Sequence, residues 1–535
     1  MPVEVERRRR LVTRTLPLSI VAVVAFAFGA AAGVPGSPER DAAARFATAW
    51  EQRDLGAMYR ELNLASRTQT SQAEFVSAYR TAADAATLRR VEAGEPGEPA
   101  DAASATLVPV EFAAATVAFG EVVAGLEIPY ADGGIAWDRS LVFPGLRPGE
   151  HLENEIELAP RAPVLARDGS PLTDDPAGPR EHLEEAFDAR LAGRPGGTLL
   201  AVADATGSAR ILAQSEPRPG ATVRTTIDPG LQEAADAALA GRAGGIAVLD
   251  TRSGDVRALA GQAFSAPQPP GSTFKLITTV AALQKGVLSL DDTFPIVDGV
   301  NVGGRFISNA NGEFCGGTFP EAFAHSCNAD FAPLGPEIGN EDLVEAAERF
   351  GFNSPPPLYT AEALAAVEPP ESTIPAEIGE DLDLGVTALG QGEVLATPLL
   401  IAGVAQAIAD GGMREPTSVV ANPELRPEAE GERVMSRKMA ADLTDLMVGV
   451  VTEGTGFAGA IAEAQVAGKT GTAELGPVAG QEGLPEPEQV KNAWFVSFAP
   501  ARKPRLAVAV LLIEAEASGG EVAAPAAAAV LSAGL

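Results

Sequence analysis

The pattern of apolar and polar positions divides the chain into four stretches. Leu16–Val34 is an uncharged, apolar run of 19 residues, long enough as a helix to cross a hydrocarbon layer of ~30 Å. Phe46, Trp50, Leu55, Met58, Tyr59 and Leu62 then recur at approximately helical spacing. After the break "EPGEPAD", the runs "ATLVPVEF" and "GLEIPY" read as short strands that end at "GGIAWDRSLVF". Helices leading into a small meander predict a compact α+β module over 38–143. Residues 144–225 are polar and punctuated by proline, a linker region with a few strands. From 226 onward the texture is α/β. "TIDPGLQEAADAAL" carries a helix start signal, and "GGIAVLDTRSGDVRALAG" predicts a hairpin around Thr251-Arg252-Ser253-Gly254. "AWFVSFAP" and "RLAVAVLLIEA" are further strands, and "AAPAAAAVLSAGL" is a closing helix. Strands at both ends of the segment predict one sheet assembled from distant parts of the chain.

Composition and charge narrow the function. A chain of 535 residues has room for two to four domains, and 46% apolar with 21% charged residues is a globular composition. With 72 acidic against 40 basic residues the net charge is −32, which argues against nucleic acid as a partner. Three histidines leave little for a metal site or a His-dependent triad, so no metal and no cofactor is expected. No G-x-S-x-G occurs. Arg7–Arg10 and Arg14 precede the apolar run, which puts the N-terminus in the cytoplasm and the remainder outside. The run is either a retained single-pass anchor or, given "FGAAAG", a cleaved signal peptide. Either way the bulk is extracytoplasmic. Cys315 and Cys327 are then a possible disulfide, the alternative being two buried free thiols.

Lysine is rare here: six positions (275, 285, 438, 469, 491, 503) against 34 arginines, and none before 275. Where a positive charge suffices this chain uses Arg, so each Lys calls for a local reason. A buried Lys can lose its proton and act as a base, whereas Arg cannot. In "PPGSTFKLITT", Pro-Pro-Gly delivers Ser272 to a helix start, with Lys275 three positions on and on the same face. The helix N-terminus favours a developing oxyanion, and a serine needs such a neighbouring base to become nucleophilic. In "AHSCNADF", Ser326 and Asn328 suit a tight turn aimed into one cleft, or simply a polar loop capping a helix. In "VAGKTGTAE", a strand reading puts Lys469 and Gly471 on one face and Thr470 and Thr472 on the other. Gly471 would admit a substrate backbone. A phosphate loop fails on spacing, since position 463 is Glu.

Ser-x-x-Lys, Ser-x-Asn and Lys-Thr-Gly in this order resemble the penicillin-binding transpeptidases, together with "LGQGEVLATPLLIA", "EGTG" and "NAWFVSFAP". The resemblance implies a multidomain class B protein. After a cytoplasmic tail and anchor (1–36) come an NTF2-like α+β module of the methicillin-resistance type (37–145) and a β-rich, dimerisation-type non-catalytic region (146–225). The last lacks a clean RG-x-I-x-DR-x-G signature. A transpeptidase-like catalytic domain (226–535) follows, an antiparallel sheet flanked by helices. The implied activity is peptidoglycan D,D-transpeptidation: Ser272 attacks the penultimate D-Ala carbonyl of a stem peptide, with Lys275 as base and Ser326 relaying the proton. Asn328 orients substrate and Lys275, Lys469 keeps Lys275 neutral, and Thr470 and Thr472 hold the substrate carboxylate. The backbone N–H groups of Ser272 and Thr472 form the oxyanion hole. β-Lactams would acylate Ser272. The implied glycan-polymerising partner is a separate membrane glycosyltransferase of the shape-elongation-division-sporulation type. The alternative is a D,D-carboxypeptidase or β-lactamase-like hydrolase using the same serine.

Overall fold

A computed structural model describes residues 37–172, 179–474 and 491–535. The apolar run Leu16–Val34 lies outside them, and among the described residues no helix is long and apolar enough to cross a membrane. The chain forms two compact units, one taking in the chain up to Pro160 with Gly193–Pro219, the other Arg161–Ala192 with Gly220–Leu535. The stretch 146–225 is thus shared between the two units.

The first unit opens with the helix Pro38–Glu51, capped by the Ser37 hydroxyl. The periodic apolar run is interrupted at Arg53, whose φ is 58°, and resumes in Leu55–Arg60. Helix Gln72–Ala85 starts from a reciprocal cap between Ser71 and Glu74. Strands Leu88–Ala93, Thr106–Thr116 and Glu121–Ala131 pair as an antiparallel meander. Along the middle strand Val108, Val110, Phe112 and Ala114 are buried while Pro109 and Glu111 are exposed, the period of two that a one-sided sheet requires. They meet Phe46, Trp50, Phe75 and Tyr79 in one core. Leu199 and Ala201 join it from a second antiparallel sheet of Glu150–Glu157, Gly196–Ala203 and Ala209–Ser215.

The second unit is built on strands β1 (Gly244–Asp250), β2 (Val256–Gly261), β3 (Ala467–Glu474), β4 (Lys491–Ala499) and β5 (Leu506–Ala515). They form one sheet in the order β2-β1-β5-β4-β3, every pair antiparallel. The hairpin predicted around 251–254 joins β1 to β2. Helices α1 (Pro229–Leu239) and α5 (Ala524–Gly534) cover one face, and α2 (Lys275–Lys285), α3 (Pro398–Ala409) and α4 (Arg437–Thr452) belong to the other. Along β4, Trp494, Val496 and Phe498 enter one core and Ala493, Phe495 and Ala499 the opposite one. Coverage on both faces explains why these strands read as unbroken apolar runs. Each fully buried Leu or Phe contributes about 2 kcal/mol to that packing.

Among the described residues β3 stands at the edge of the sheet, paired with β4 alone. Against the short helix Asn328–Phe331 packs an excursion from the main body in which Thr293–Val297 pairs with Cys315–Thr318 and Gly299–Val302 with Arg305–Ser308. Cys315 and Cys327 are joined there, with Cα atoms 5.8 Å apart.

Candidate active site

Three chain segments far apart in sequence converge at the edge of the sheet. The first is the turn before α2. Gly271 takes φ 52°, and a Cβ there would lie 2.7 Å from the Thr472 carbonyl oxygen. Only glycine lets this turn press against β3. Its N–H donates to the Gly390 carbonyl at 2.8 Å. Two side chains of β4 hold the preceding loop: Trp494 Nε1 donates to the Pro269 carbonyl at 2.8 Å and Asn492 Nδ2 to Gln268 Oε1 at 3.0 Å. Ser272 sits in a single 3-10 turn, Gly271–Thr273, and α2 begins at Lys275. The serine is partly exposed and the lysine fully buried.

The second segment follows helix Phe319–Ala324, which starts from a reciprocal Thr318–Glu321 cap. Ser326 has φ 59°, a left-handed conformation that non-glycine residues adopt at a cost. It swings the chain back so that Ser326 and Asn328 both face α2. Asn328 Nδ2 donates to the Ser308 carbonyl at 3.0 Å, which aims Oδ1 at Lys275.

Lys275 Nζ donates to the Ser326 carbonyl at 2.7 Å and to Asn328 Oδ1 at 2.9 Å, and lies 3.3 Å from Ser326 Oγ. The Ser272 hydroxyl is not among its hydrogen-bond partners. Burial, and then the charge of Lys469, hold the Lys275 amine well below the ordinary lysine range; Asp330 opposes them. A neutral amine has two N–H groups and one lone pair. The Ser326 carbonyl and the Asn328 amide occupy the two N–H groups, which leaves the lone pair, the part a base uses, to face the third neighbour, Ser326 Oγ. The Phe331 ring lies 4.9 Å from Nζ.

The third segment is β3. Lys469, also fully buried, donates to Ser326 Oγ at 2.8 Å and to the Thr470 carbonyl at 3.1 Å. Burial lowers its pKa to about 7. Gly471 shares the Lys469 side, where a Cβ would meet the Pro270 carbonyl oxygen at 2.8 Å. Thr470 and Thr472 point the other way: Thr470 Oγ1 lies 2.6 Å from Thr455 Oγ1, and Gly519 N–H donates to Thr472 Oγ1 at 3.4 Å. The alternation expected from a strand therefore holds, and Ser272, Lys275, Ser326, Asn328 and Lys469 line one site with Gly471. Among the described residues no group of three or more His, Cys, Asp or Glu could hold a metal ion.

Two residues of the site escape sequence reasoning. Thr455, in "EGTG", becomes relevant only because Gly454 packs against the Ala324 backbone and brings the loop to Thr470. Asp330, within "HSCNADF", reads as an ordinary helix acid, yet it is 4% exposed and its Oδ2 has no hydrogen-bond partner. No periodicity could have revealed that.

The penicillin binding protein transpeptidase domain model matches residues 244–532, just over half of the chain, and the NTF2-like N-terminal transpeptidase domain model matches 38–150. The peptidoglycan D,D-transpeptidase PbpA of Mycolicibacterium smegmatis is 37% identical over 300 residues, 52% of this chain and 57% of the relative. The protein of the same name from Mycobacterium tuberculosis is 37% identical over 311 residues, 53% of this chain and 59% of the relative. This chain therefore spans less than two thirds of the length of these curated relatives. The penicillin G acyl-enzyme complex of penicillin-binding protein A from M. tuberculosis superposes with a TM-score of 0.56 at 28% identity, over 70% of this chain and 99% of that one. A D,D-transpeptidase domain from Eggerthella lenta gives 0.57 at 28%, over 70% and 98%.

Proposed function

The chain belongs to the penicillin-binding protein transpeptidase family and carries its NTF2-like N-terminal domain, and on that premise we propose that it is a peptidoglycan D,D-transpeptidase acting through an acyl-enzyme on Ser272. The observation that carries this reading is the fully buried Lys275 amine, held by the Ser326 carbonyl and Asn328 Oδ1 one turn from Ser272. Lys275 takes the Ser272 proton as Oγ attacks the penultimate D-Ala carbonyl. The Ser272 and Thr472 N–H groups hold the oxyanion, favoured by the close seating of Gly271 on β3. Ser326, hydrogen-bonded to the Lys469 ammonium, passes a proton to the departing D-Ala amine. An amine from a neighbouring strand then displaces the enzyme. β3 ends the sheet with no further strand beside it among the described residues, a position that suits an extended peptide added as another strand, with Thr470 and Thr472 near its carboxylate. β-Lactams imitate this substrate and stay attached as long as water is kept from the ester.

The apolar run Leu16–Val34 with its preceding arginines supports single-pass anchorage with the catalytic unit outside the cell. A separate membrane glycosyltransferase would supply the glycan strands. The deciding experiment is labelling with a fluorescent penicillin. The unaltered chain takes up one label per molecule and Ser272→Ala none; a label on any other side chain ends the proposal. Rapid turnover of the bound β-lactam would instead select a hydrolase.

A further inference from the structure

Two positions beyond Asn328, the helix Asn328–Phe331 carries an acid that the mechanism above does not use. Asp330 is 4% exposed among buried Ala329, Phe331 and Ala332, and its Oδ2 is buried without a hydrogen-bond partner. It forms no ion pair among the described residues and caps no helix. A buried polar oxygen left unpaired is destabilising, so for stability alone an apolar side chain would serve better here. Arg305 and Glu337 are the ionisable side chains on the elements that pack against this helix, Cys315 being held in the disulfide. In the same single turn of helix, Asn328 Oδ1 lies 2.9 Å and the Phe331 ring 4.9 Å from Lys275 Nζ, which places Asp330 beside that amine, and the charge that acts on the carboxyl is that of Lys275. The influence is mutual. Burial and Lys469 drive the lysine towards its neutral form, and Asp330 is the group that pulls it back.

We propose that Asp330 is a positioning residue for acylation, a buried carboxyl that sets what fraction of Lys275 is held as the neutral amine. The inference rests on the reading of Lys275 as the base for Ser272. Ionised, the carboxylate stabilises the neighbouring ammonium and keeps part of the base protonated. Protonated, it exerts no such pull and the amine is released. Burial pushes the Asp330 carboxyl up to about 6, so this exchange falls within the pH range in which the enzyme would work. One proton is shared between two groups, and no other species is consumed.

The test is the acylation rate of the full chain by a penicillin between about pH 5 and 10, comparing the unaltered protein with Asp330→Asn and Asp330→Leu. A nearby negative charge raises a lysine pKa, so its removal lowers it and moves the acid limb to lower pH. We expect the Asn variant to acylate at least about threefold faster in mid-limb, the equivalent of half a pKa unit. Below the carboxyl's own pKa, where Asp330 is already neutral, the normalised profiles should coincide, and they should meet again at the alkaline plateau. Asp330→Leu should reproduce the displacement, since it removes the same charge, and either variant alone decides the matter if the other fails to fold. Superimposed profiles, a shift to higher pH or a uniform slowing would overturn the inference while acylation at Ser272 stood. Absence of acylation in the unaltered chain would bring down the reading of the site and this inference with it.

Discussion

Lys275 and Lys469 converge on a single oxygen, Ser326 Oγ, at 3.3 and 2.8 Å. Both amines are fully buried. Two ammonium ions no more than about 6 Å apart would repel each other by roughly 3 kcal/mol at an effective dielectric constant of 20, before any cost of removing them from water. One of the two must therefore be neutral. Lys275 is that one, because it feels burial and the charge of Lys469 together. The serine between them then has an ammonium donating to its oxygen, and its own hydrogen is free to be given away.

Lys275→Arg separates charge from basicity. Arginine keeps a cation in the pocket but does not release its proton. We expect penicillin acylation to fall by about 10³-fold, the middle of the range for loss of a general base, with the thermal transition still cooperative. Retention of more than a tenth of the rate would remove Lys275 from the role of base.

Lys469→Met should act in opposite directions on catalysis and stability. Without the second cation the Lys275 pKa rises, so the acid limb of acylation moves to higher pH and the rate near pH 7 drops. For stability, the Lys469 pKa is about 7 in the folded chain, below the ~10.4 of an unfolded lysine. The unfolded state binds more protons between these values, so stability rises with pH across that window. Methionine removes this dependence and should add on the order of 1 kcal/mol at pH 7. Urea unfolding of the catalytic unit at pH 7 and 10 checks both the size and the slope.

Gly471→Ala tests the seating of the Ser272 turn on β3. The new methyl would meet the Pro270 carbonyl oxygen at 2.8 Å, Thr273 Cγ2 at 2.9 Å and Trp494 Cβ at 3.0 Å. Overpacking of this kind costs about 1–3 kcal/mol. A displacement near 1 Å at a reacting group costs about 100-fold in rate. Acylation kinetics beside a melting curve should show both losses.

The bond between Cys315 and Cys327, which spans 12 positions, is worth ~3 kcal/mol by loop closure. Because Cys327 lies between Ser326 and Asn328, Cys315→Ser with Cys327→Ser should lower the melting temperature and slow acylation together. Hydrogen exchange should speed up in 293–331 before it does in the sheet.

Much of this was legible from residue order. The strands β4 and β5 announce themselves because helices cover both faces, and the alternation of Lys469 and Gly471 with Thr470 and Thr472 follows from strand geometry alone. The break at Arg53 and the left-handed turn at Ser326 were not legible, since neither residue type favours positive φ and only the surrounding packing imposes it.

The sequence by itself determined which functional groups are available: a serine three positions before a lysine, a serine two before an asparagine, and a lysine on a strand. What they can do was decided by the tertiary structure. Desolvation and the field of nearby charges set the proton affinity of an amine, and both belong to surroundings assembled from segments 51 and 143 positions apart in the chain. The same burial turns Asp330 from an ordinary acid in a helix into an unpaired carboxyl within electrostatic reach of Lys275.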